Sequence, residues 1–232
     1  MSRPPLGLEA MRERLAQLPR RVTLKIATSL DGRIATASGE SQWITGEAAR
    51  EAGHRLRAMH SAVLVGVETV IADDPQLTVR LPGYVGMQPA RVVLDSRGRT
   101  PLTSKLVTSA ERIPTYVISL RSNERLTEVG VRVIEVAETD GRPDLLAALQ
   151  ALKAELPALN LMVEGGGQVA ASFLQAGLVD ALEWFRAPII LGDEGRPGVG
   201  AFVLKALAEA PRFRRTEVQE LGPDLWERYE RL

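Results

Sequence analysis

Short apolar runs rich in β-branched residues recur along the chain, each bounded by turn formers: Val22 to Ala27, Ala62 to Val65, Arg91 to Leu94, Thr115 to Ser119, Val131 to Val136 and Leu161 to Val163. Runs of this length without strict alternation predict strands buried on both faces of a parallel sheet. Between several of them lie stretches with helical spacing: Gly46 to Met59, Pro143 to Leu156 and Gln168 to Ala176. Pro143 suits a first helical position, and Gly177 a left-handed residue just past a helix end. The alternation predicts an α/β fold, a central and mostly parallel sheet with flanking helices. Asp180 to Ile190, Phe213 to Glu220 and Leu225 to Tyr229 read as further strands with no long helix between them, which predicts an antiparallel edge. Gly192 to Gly200 reads as a loop from its Gly and Pro content. Ahead of the first strand, Leu8, Met11, Leu15 and Leu18 recur at roughly helical spacing. Residues 1–20 are therefore expected to form a short helical extension, and residues 21–232 a single domain.

Composition changes this picture by exclusion. The 29 basic and 29 acidic residues balance, so no global field recommends a nucleic acid or an anionic membrane as partner. There is no apolar run of membrane-spanning length, and the first twenty residues lack the basic start and apolar centre of a signal peptide, so a cytoplasmic location is expected. The chain has no cysteine, which excludes disulfides, a thiol nucleophile and thiolate metal sites; no metal is expected.

Chemistry is concentrated in a few places. Glu164-Gly165-Gly166-Gly167 falls where a strand ends and a helix begins, where backbone amides can meet a phosphate; a plain tight turn is the alternative. Lys25 interrupts an apolar strand and shares a face with Ala27. Either its strand lies at a sheet edge with the ammonium in solvent, or a carboxylate or ligand meets it, for which Glu164 is the natural acidic counterpart. In the helix 46–59, Arg50, His54 and Arg57 form one basic stripe, while Ala49, Ala52, Leu56 and Met59 form the apolar side. A solvated face is the usual meaning of such a stripe. His54 and His60 lack metal-ligand spacing and read as structural. Asp73-Asp74-Pro75 suits a turn in which one carboxylate caps and the other stays available. Trp43 reads either as a core anchor or as part of a site.

Four phrases serve no core: Ser29-Leu30-Asp31-Gly32-Arg33, Gly39-Glu40-Ser41-Gln42-Trp43-Ile44-Thr45, Asp73-Asp74-Pro75-Gln76-Leu77-Thr78-Val79-Arg80 and Glu164-Gly165-Gly166-Gly167. In this order they make the sequence resemble the reductase domain of the bifunctional riboflavin-biosynthesis deaminase/reductase, a member of the dihydrofolate-reductase-like superfamily, from about Arg21 onward. The resemblance implies a dihydrofolate-reductase-like fold, NADPH as cofactor, and reduction of 5-amino-6-(5-phosphoribosylamino)uracil to its ribitylamino product. It implies Lys25 and Glu164 as the catalytic candidates. Cofactor positions implied are Ala27, Trp43, Thr69, Asp73, Ser96 and the run Gly166, Gly167, Gln168, Val169, Ala170, Ala171 and Ser172. Substrate positions implied are Ser41, Arg57, Leu77, Arg80 and Glu164, with Arg57 and Arg80 together on one phosphate; Arg97 beside Ser96 suits a 2′-phosphate by its charge. A homodimer and a separate deaminase are also implied, since a zinc deaminase needs cysteines that this chain lacks. Two other readings stay open: a same-fold NADPH reductase of another pyrimidine or a pterin, and a non-catalytic nucleotide-binding module. Asp193, Glu194 and Arg196 depart from the family's glycine-rich loop.

Overall fold

A computed structural model describes residues 21–232; the helix expected within residues 1–20 lies outside them. The chain begins with β1 (Arg21–Thr28) and β2 (Arg33–Ala35), then α1 (Glu47–Ala58), β3 (Ala62–Gly66) and α2 (Val67–Asp73). Next come β4 (Ala90–Leu94), α3 (Lys105–Thr108), β5 (Thr115–Ser119), α4 (Glu124–Glu128) and β6 (Arg132–Glu135). A small hairpin, β7 (Glu138–Thr139) and β8 (Arg142–Pro143), leads to α5 (Leu145–Glu155), β9 (Asn160–Val163), α6 (Gly167–Gln175) and β10 (Ala181–Arg186). The remainder is β11 (Arg196–Pro197), β12 (Phe213–Leu221) and β13 (Asp224–Arg231).

Among the described residues nine strands make one sheet in the order β12-β13-β10-β1-β9-β3-β4-β5-β6. Neighbours from β10 to β6 are parallel, while β13 and β12 close one side as an antiparallel edge. This is the expected mostly parallel sheet. Winding runs outward from β3 to β6, then returns so that β9 fills the slot between β1 and β3. Reversals of this kind open a crevice at the carboxyl ends of the strands.

Side-chain alternation sorts the core into two layers. Val22, Leu24, Ile26, Leu64, Val92 and Leu161 pack with Ala148, Leu149 and Leu152 of α5 and Phe173 of α6. Val63, Val65, Val93, Val117 and Met162 pack on the other face with Ala49, Ala52 and Leu56 of α1 and with α2, α3 and α4. Ala27 joins this second face, with Lys25 two residues before it. No helix among the described residues is long and apolar enough to cross a membrane.

Several local expectations need correction. Pro143 does not open a helix: it pairs with Glu138 in the hairpin, and Asp144 caps α5 by accepting from the Ala147 amide at 2.8 Å. A carboxylate that satisfies an orphan amide outcompetes proline's preset φ as the start signal. Gly177 does take the left-handed position after α6, with φ of 66°. Met59 is 64% exposed, because α1 ends before it and the apolar stripe stops at Leu56. Within the loop 192–200, Arg196 and Pro197 pair with β2. α2 escaped the sequence reading because Gly66 is at once the end of β3 and the cap of the helix, leaving no polar gap between them.

Candidate active site

The carboxyl ends of β1, β3, β4 and β9 open into a cleft of about 1440 Å³. The glycine turn after β9 forms its centre, and each glycine there is required for a different reason. A Cβ on Gly165 would lie 2.5 Å from Val169 Cβ, and one on Gly167 only 2.2 Å from the Pro197 carbonyl oxygen. Gly167 is locked to that neighbouring loop by the Gly200 amide, which donates to its carbonyl at 2.7 Å. At Gly166 a Cβ would meet no protein atom within 4 Å. It would enter the cleft instead. Gly166 caps α6 without any side-chain hydrogen bond, so no side chain covers the first amides at the positive end of the helix dipole. Arg142 flanks this turn from the β7–β8 hairpin, its Nη1 donating to Ser172 Oγ at 3.4 Å, and Arg196 lines the same cleft. A glycine cradle, uncapped amides and flanking guanidiniums together fit the diphosphate of a dinucleotide.

The expected cofactor positions divide by helical phase. Ala27, Thr69, Asp73, Ser96, Gly166, Gly167, Gln168, Val169 and Ser172 line the cleft. Ala170 and Ala171 do not; both are buried, because α6 turns every third or fourth residue toward the sheet. Trp43 is neither core nor cleft wall: it is 68% exposed, with the Arg50 guanidinium 4.5 Å from its ring centroid. The two aspartates part as expected. Asp74 ends α2 at a φ of 41° and accepts from the Lys105 amide at 2.8 Å, while burial raises the Asp73 carboxyl at the cleft wall against the opposing charge of Arg196.

At the head of β1 the charged groups gather around one carboxylate. Glu164 accepts from Arg57 Nε at 2.6 Å and from Arg57 Nη2 at 2.9 Å, and Arg57 Nη1 donates to the Thr78 carbonyl at 3.0 Å. Glu164 thus spends its hydrogen bonds on Arg57 and meets Lys25 through charge alone, and the Arg57 fork expected on a phosphate with Arg80 faces a carboxylate instead. Its stripe is also not a solvated face, since Arg50, His54 and Arg57 are all half-buried. Arg80 is exposed, its amide donating to His54 Nδ1 at 3.3 Å. Ser41 lines the cleft, but Leu77 is 2% exposed and belongs to the core, because Leu77 and Val79 alternate inward while Thr78 and Arg80 turn out. Lys25 sits on an interior strand, which rules out the edge reading, and its head reaches the cleft.

Burial alone would raise the Glu164 carboxyl, yet the charge and hydrogen bonds of Arg57, with Lys25 and His54 behind, hold it at about 2. Lys25 lies below its ordinary value, chiefly through burial, with Glu164 opposing and Arg57 adding to the shift. Burial, then the charges of Arg57 and Arg80, push His54 down to about 4. The folded state therefore resists protonating His54 between its ordinary value of 6.5 and about 4, where the unfolded chain binds more protons, so stability falls as pH drops through that window. His54→Asn, which keeps an acceptor for the Arg80 amide, is expected to flatten the fall between pH 6.5 and 4.5, while the loss from Glu164 between 4.5 and about 2 persists. Denaturant unfolding at a series of pH values checks this; an unchanged upper limb overturns it. His60 is structural: Nδ1 donates to the Leu56 carbonyl at 2.7 Å and Nε2 accepts from Thr23 Oγ1 at 2.9 Å.

The sequence reading missed Arg142, Thr139 and Arg196. For the first two a signal existed: Asp140-Gly141, with φ of 53° and 76°, is the dipeptide that favours a tight hairpin turn. A second space of about 930 Å³ adjoins the cleft through Ser96 and Arg97 and is walled by Ser119, Arg121, Ser122 and Asn123.

Residues 20–226 match the family model described as the RibD C-terminal domain. The riboflavin biosynthesis protein RibD of Bacillus amyloliquefaciens is 39% identical over 212 residues, which cover 88% of this chain and 55% of that protein. The solved structure of Acinetobacter baumannii RibD, form 1, matches with a TM-score of 0.82 at 37% identity, covering 93% of this chain and 59% of that one. A Thermotoga maritima diaminohydroxyphosphoribosylaminopyrimidine deaminase/5-amino-6-(5-phosphoribosylamino)uracil reductase matches with a TM-score of 0.77 at 28% identity, covering 94% of this chain and 58% of that one. The chain thus spans little more than half the length of these relatives.

Proposed function

Because the chain belongs to the RibD C-terminal domain family, we propose that it reduces 5-amino-6-(5-phosphoribosylamino)uracil to the ribitylamino product, with NADPH as reductant, in riboflavin biosynthesis. What carries this assignment is the meeting, in one cleft, of the uncapped glycine-lined start of α6 with the head of Lys25 and the Arg57-bound Glu164. The Thermotoga relative supports the uracil substrate by its name. Deamination is assigned to a separate active site, since this chain has no cysteine to hold a zinc ion. The proposal includes a cytoplasmic homodimer.

In this assignment the glycine turn, Ser172 and Arg142 would hold the diphosphate, Ala27 would line the nicotinamide end of the cleft, and Arg97 would be the cation available to a 2′-phosphate. When bound, the cofactor would supply a hydride for C1′ of the substrate. The ribose ring opens when a proton passes from the exocyclic nitrogen to the ring oxygen, leaving an imine at C1′. Hydride at C1′ then needs one proton at nitrogen, and the two candidate donors separate on charge. Glu164, held near 2, is a carboxylate at neutral pH and cannot give it. Lys25 is the donor: it lines the cleft, and burial lowers its pKa from the ordinary value, which eases release of a proton. Glu164 balances Arg57 and Lys25, and Arg80 is the guanidinium left for the substrate phosphate.

The purified protein is expected to oxidise NADPH one-for-one with ribitylamino product, to prefer NADPH over NADH, and to turn over the phosphorylated substrate better than its dephosphorylated form. Reduction of a pterin in place of the uracil substrate, or NADPH binding without turnover, would overturn the assignment.

A further inference from the structure

We propose that Phe185, backed by Trp226, is a positioning residue that holds the Lys25 ammonium at the floor of the cleft. This deepens the reading of Lys25 as proton donor and rests on it for its functional meaning. Register sets Glu183 of β10 beside Lys25 on the same face, where opposite charges on adjacent strands attract. Glu183 is instead held from its other flank, by β13. It accepts from Trp226 Nε1 at 2.7 Å and from Arg228 Nε at 3.2 Å, and Arg228 Nη1 continues to Glu217 at 2.9 Å. The charges of β10, β13 and β12 thus satisfy one another without Lys25. Its Nζ lies 5.5 Å from the centroid of Phe185, two residues further along β10, and makes no hydrogen bond or ion pair with any described residue.

Phe185 is fully buried and stacks on Trp226 at 5.3 Å with an interplanar angle of 13°, while Trp226 is pinned by Glu183. The ring is therefore fixed from behind. A π face can offset part of the hydration that a half-buried ammonium loses, yet it takes none of the three N–H donors in a directed bond. A carboxylate in the same place would take them. An ammonium supported in this way keeps its donors for the cleft, which is what a proton donor requires. The other charged groups that face Lys25 come from the end of β9 and from α1, Glu164 opposing its loss of charge and Arg57 promoting it. On β10 it meets Glu183, which is occupied as described. None of these changes when the ring alone is altered.

The test is the titration of Lys25 in ligand-free protein carrying 13C-labelled lysine, where only Lys25, Lys105, Lys153 and Lys205 give signals. Phe185→Leu removes the π face and keeps apolar bulk; its Lys25 midpoint is expected to drop by roughly half to one pH unit. Phe185→Tyr keeps the face and is expected to titrate like the parent. Trp226→Phe loosens the backing and serves as the milder variant if Phe185→Leu does not fold, with a smaller shift in the same direction. In turnover, the basic limb of kcat is expected to move down with the Lys25 midpoint while KM changes little. An unchanged midpoint in folded Phe185→Leu, or equal shifts in the Leu and Tyr variants, overturns the proposal. A shifted midpoint with an unmoved basic limb supports the contact and overturns the proton-donor reading of Lys25 instead.

Discussion

Glu164→Gln is expected to lower single-turnover hydride transfer at least a hundredfold and to destabilise the fold by about 3 kcal/mol. The carboxylate is 10% exposed and its partner guanidinium 15%, so both charges have given up most of their hydration. A glutamine retains one acceptor for Arg57 but no charge. Arg57 and Lys25 are then two cations in one half-dry site, and the ammonium is the one able to release its proton. The donor is lost along with the stability. Arg57→Met should act differently, because Glu164 keeps Lys25 as a counter-charge; the expectation is a comparable loss of stability with a smaller loss of turnover. Denaturant unfolding and single-turnover rates on folded variants measure the two effects separately. If Glu164→Gln turns over and unfolds like the parent, the ion pair has neither role.

Gly166→Val and Gly167→Ala are expected to fail for opposite reasons, although the positions are adjacent. Gly166 has a φ of −65° and a ψ of 173°, backbone that a branched residue adopts freely, and its Cβ would meet no protein atom. The valine variant should fold with a loss of no more than about 1 kcal/mol, yet bind NADPH at least a hundredfold more weakly, since its methyls fill the place where a phosphate would meet the α6 amides. At Gly167 even one methyl group lies 2.2 Å from the Pro197 carbonyl oxygen. Two backbone segments must separate and break the bond between the Gly200 amide and the Gly167 carbonyl. Overpacking of this kind costs about 1–3 kcal/mol or more, so Gly167→Ala should lose thermal stability first and cofactor affinity as a consequence. Thermal unfolding and NADPH titration on both variants distinguish these outcomes; a Gly166→Val protein with unchanged NADPH affinity would falsify the phosphate-cradle assignment.

Much of the architecture was legible in the apolar runs. A segment such as Val63 to Val65, apolar at every position, can only be satisfied with cover on both faces, and that condition is local. The strand Thr115–Ser119 and the left-handed Gly177 were readable for the same kind of reason: composition and backbone sterics act on neighbouring residues. Period-two alternation also put Lys25 and Ala27 on one face without knowledge of the sheet. The short helices α3 and α4 carried no comparable signal, because each makes little more than one turn and is held by packing of Leu106 and Leu126.

What stayed hidden was the identity of partners distant in sequence. Arg57 and Glu164 are separated by 107 residues, and nothing in the spacing of either tells that the end of β9 meets the last turn of α1. Lys25 keeps Glu164 as a counter-charge, but strand order put Glu183 beside it with Trp226 and Arg228 beyond, so an aromatic face, not a hydrogen-bonding carboxylate, lies under its head. The sequence by itself determined the long apolar strands of the main sheet, the shared face of Lys25 and Ala27, and where a ligand-sized glycine turn interrupts them, because those follow from sterics and burial over a few residues; the two-residue strands of the hairpin and of the loop 192–200 carry no such signal. Only the tertiary structure decided which charge neutralises which, and with it which group can hold or release a proton. That choice depends on desolvation and on Coulomb forces over a few ångströms, and those distances are set by the winding that brings β9 back between β1 and β3.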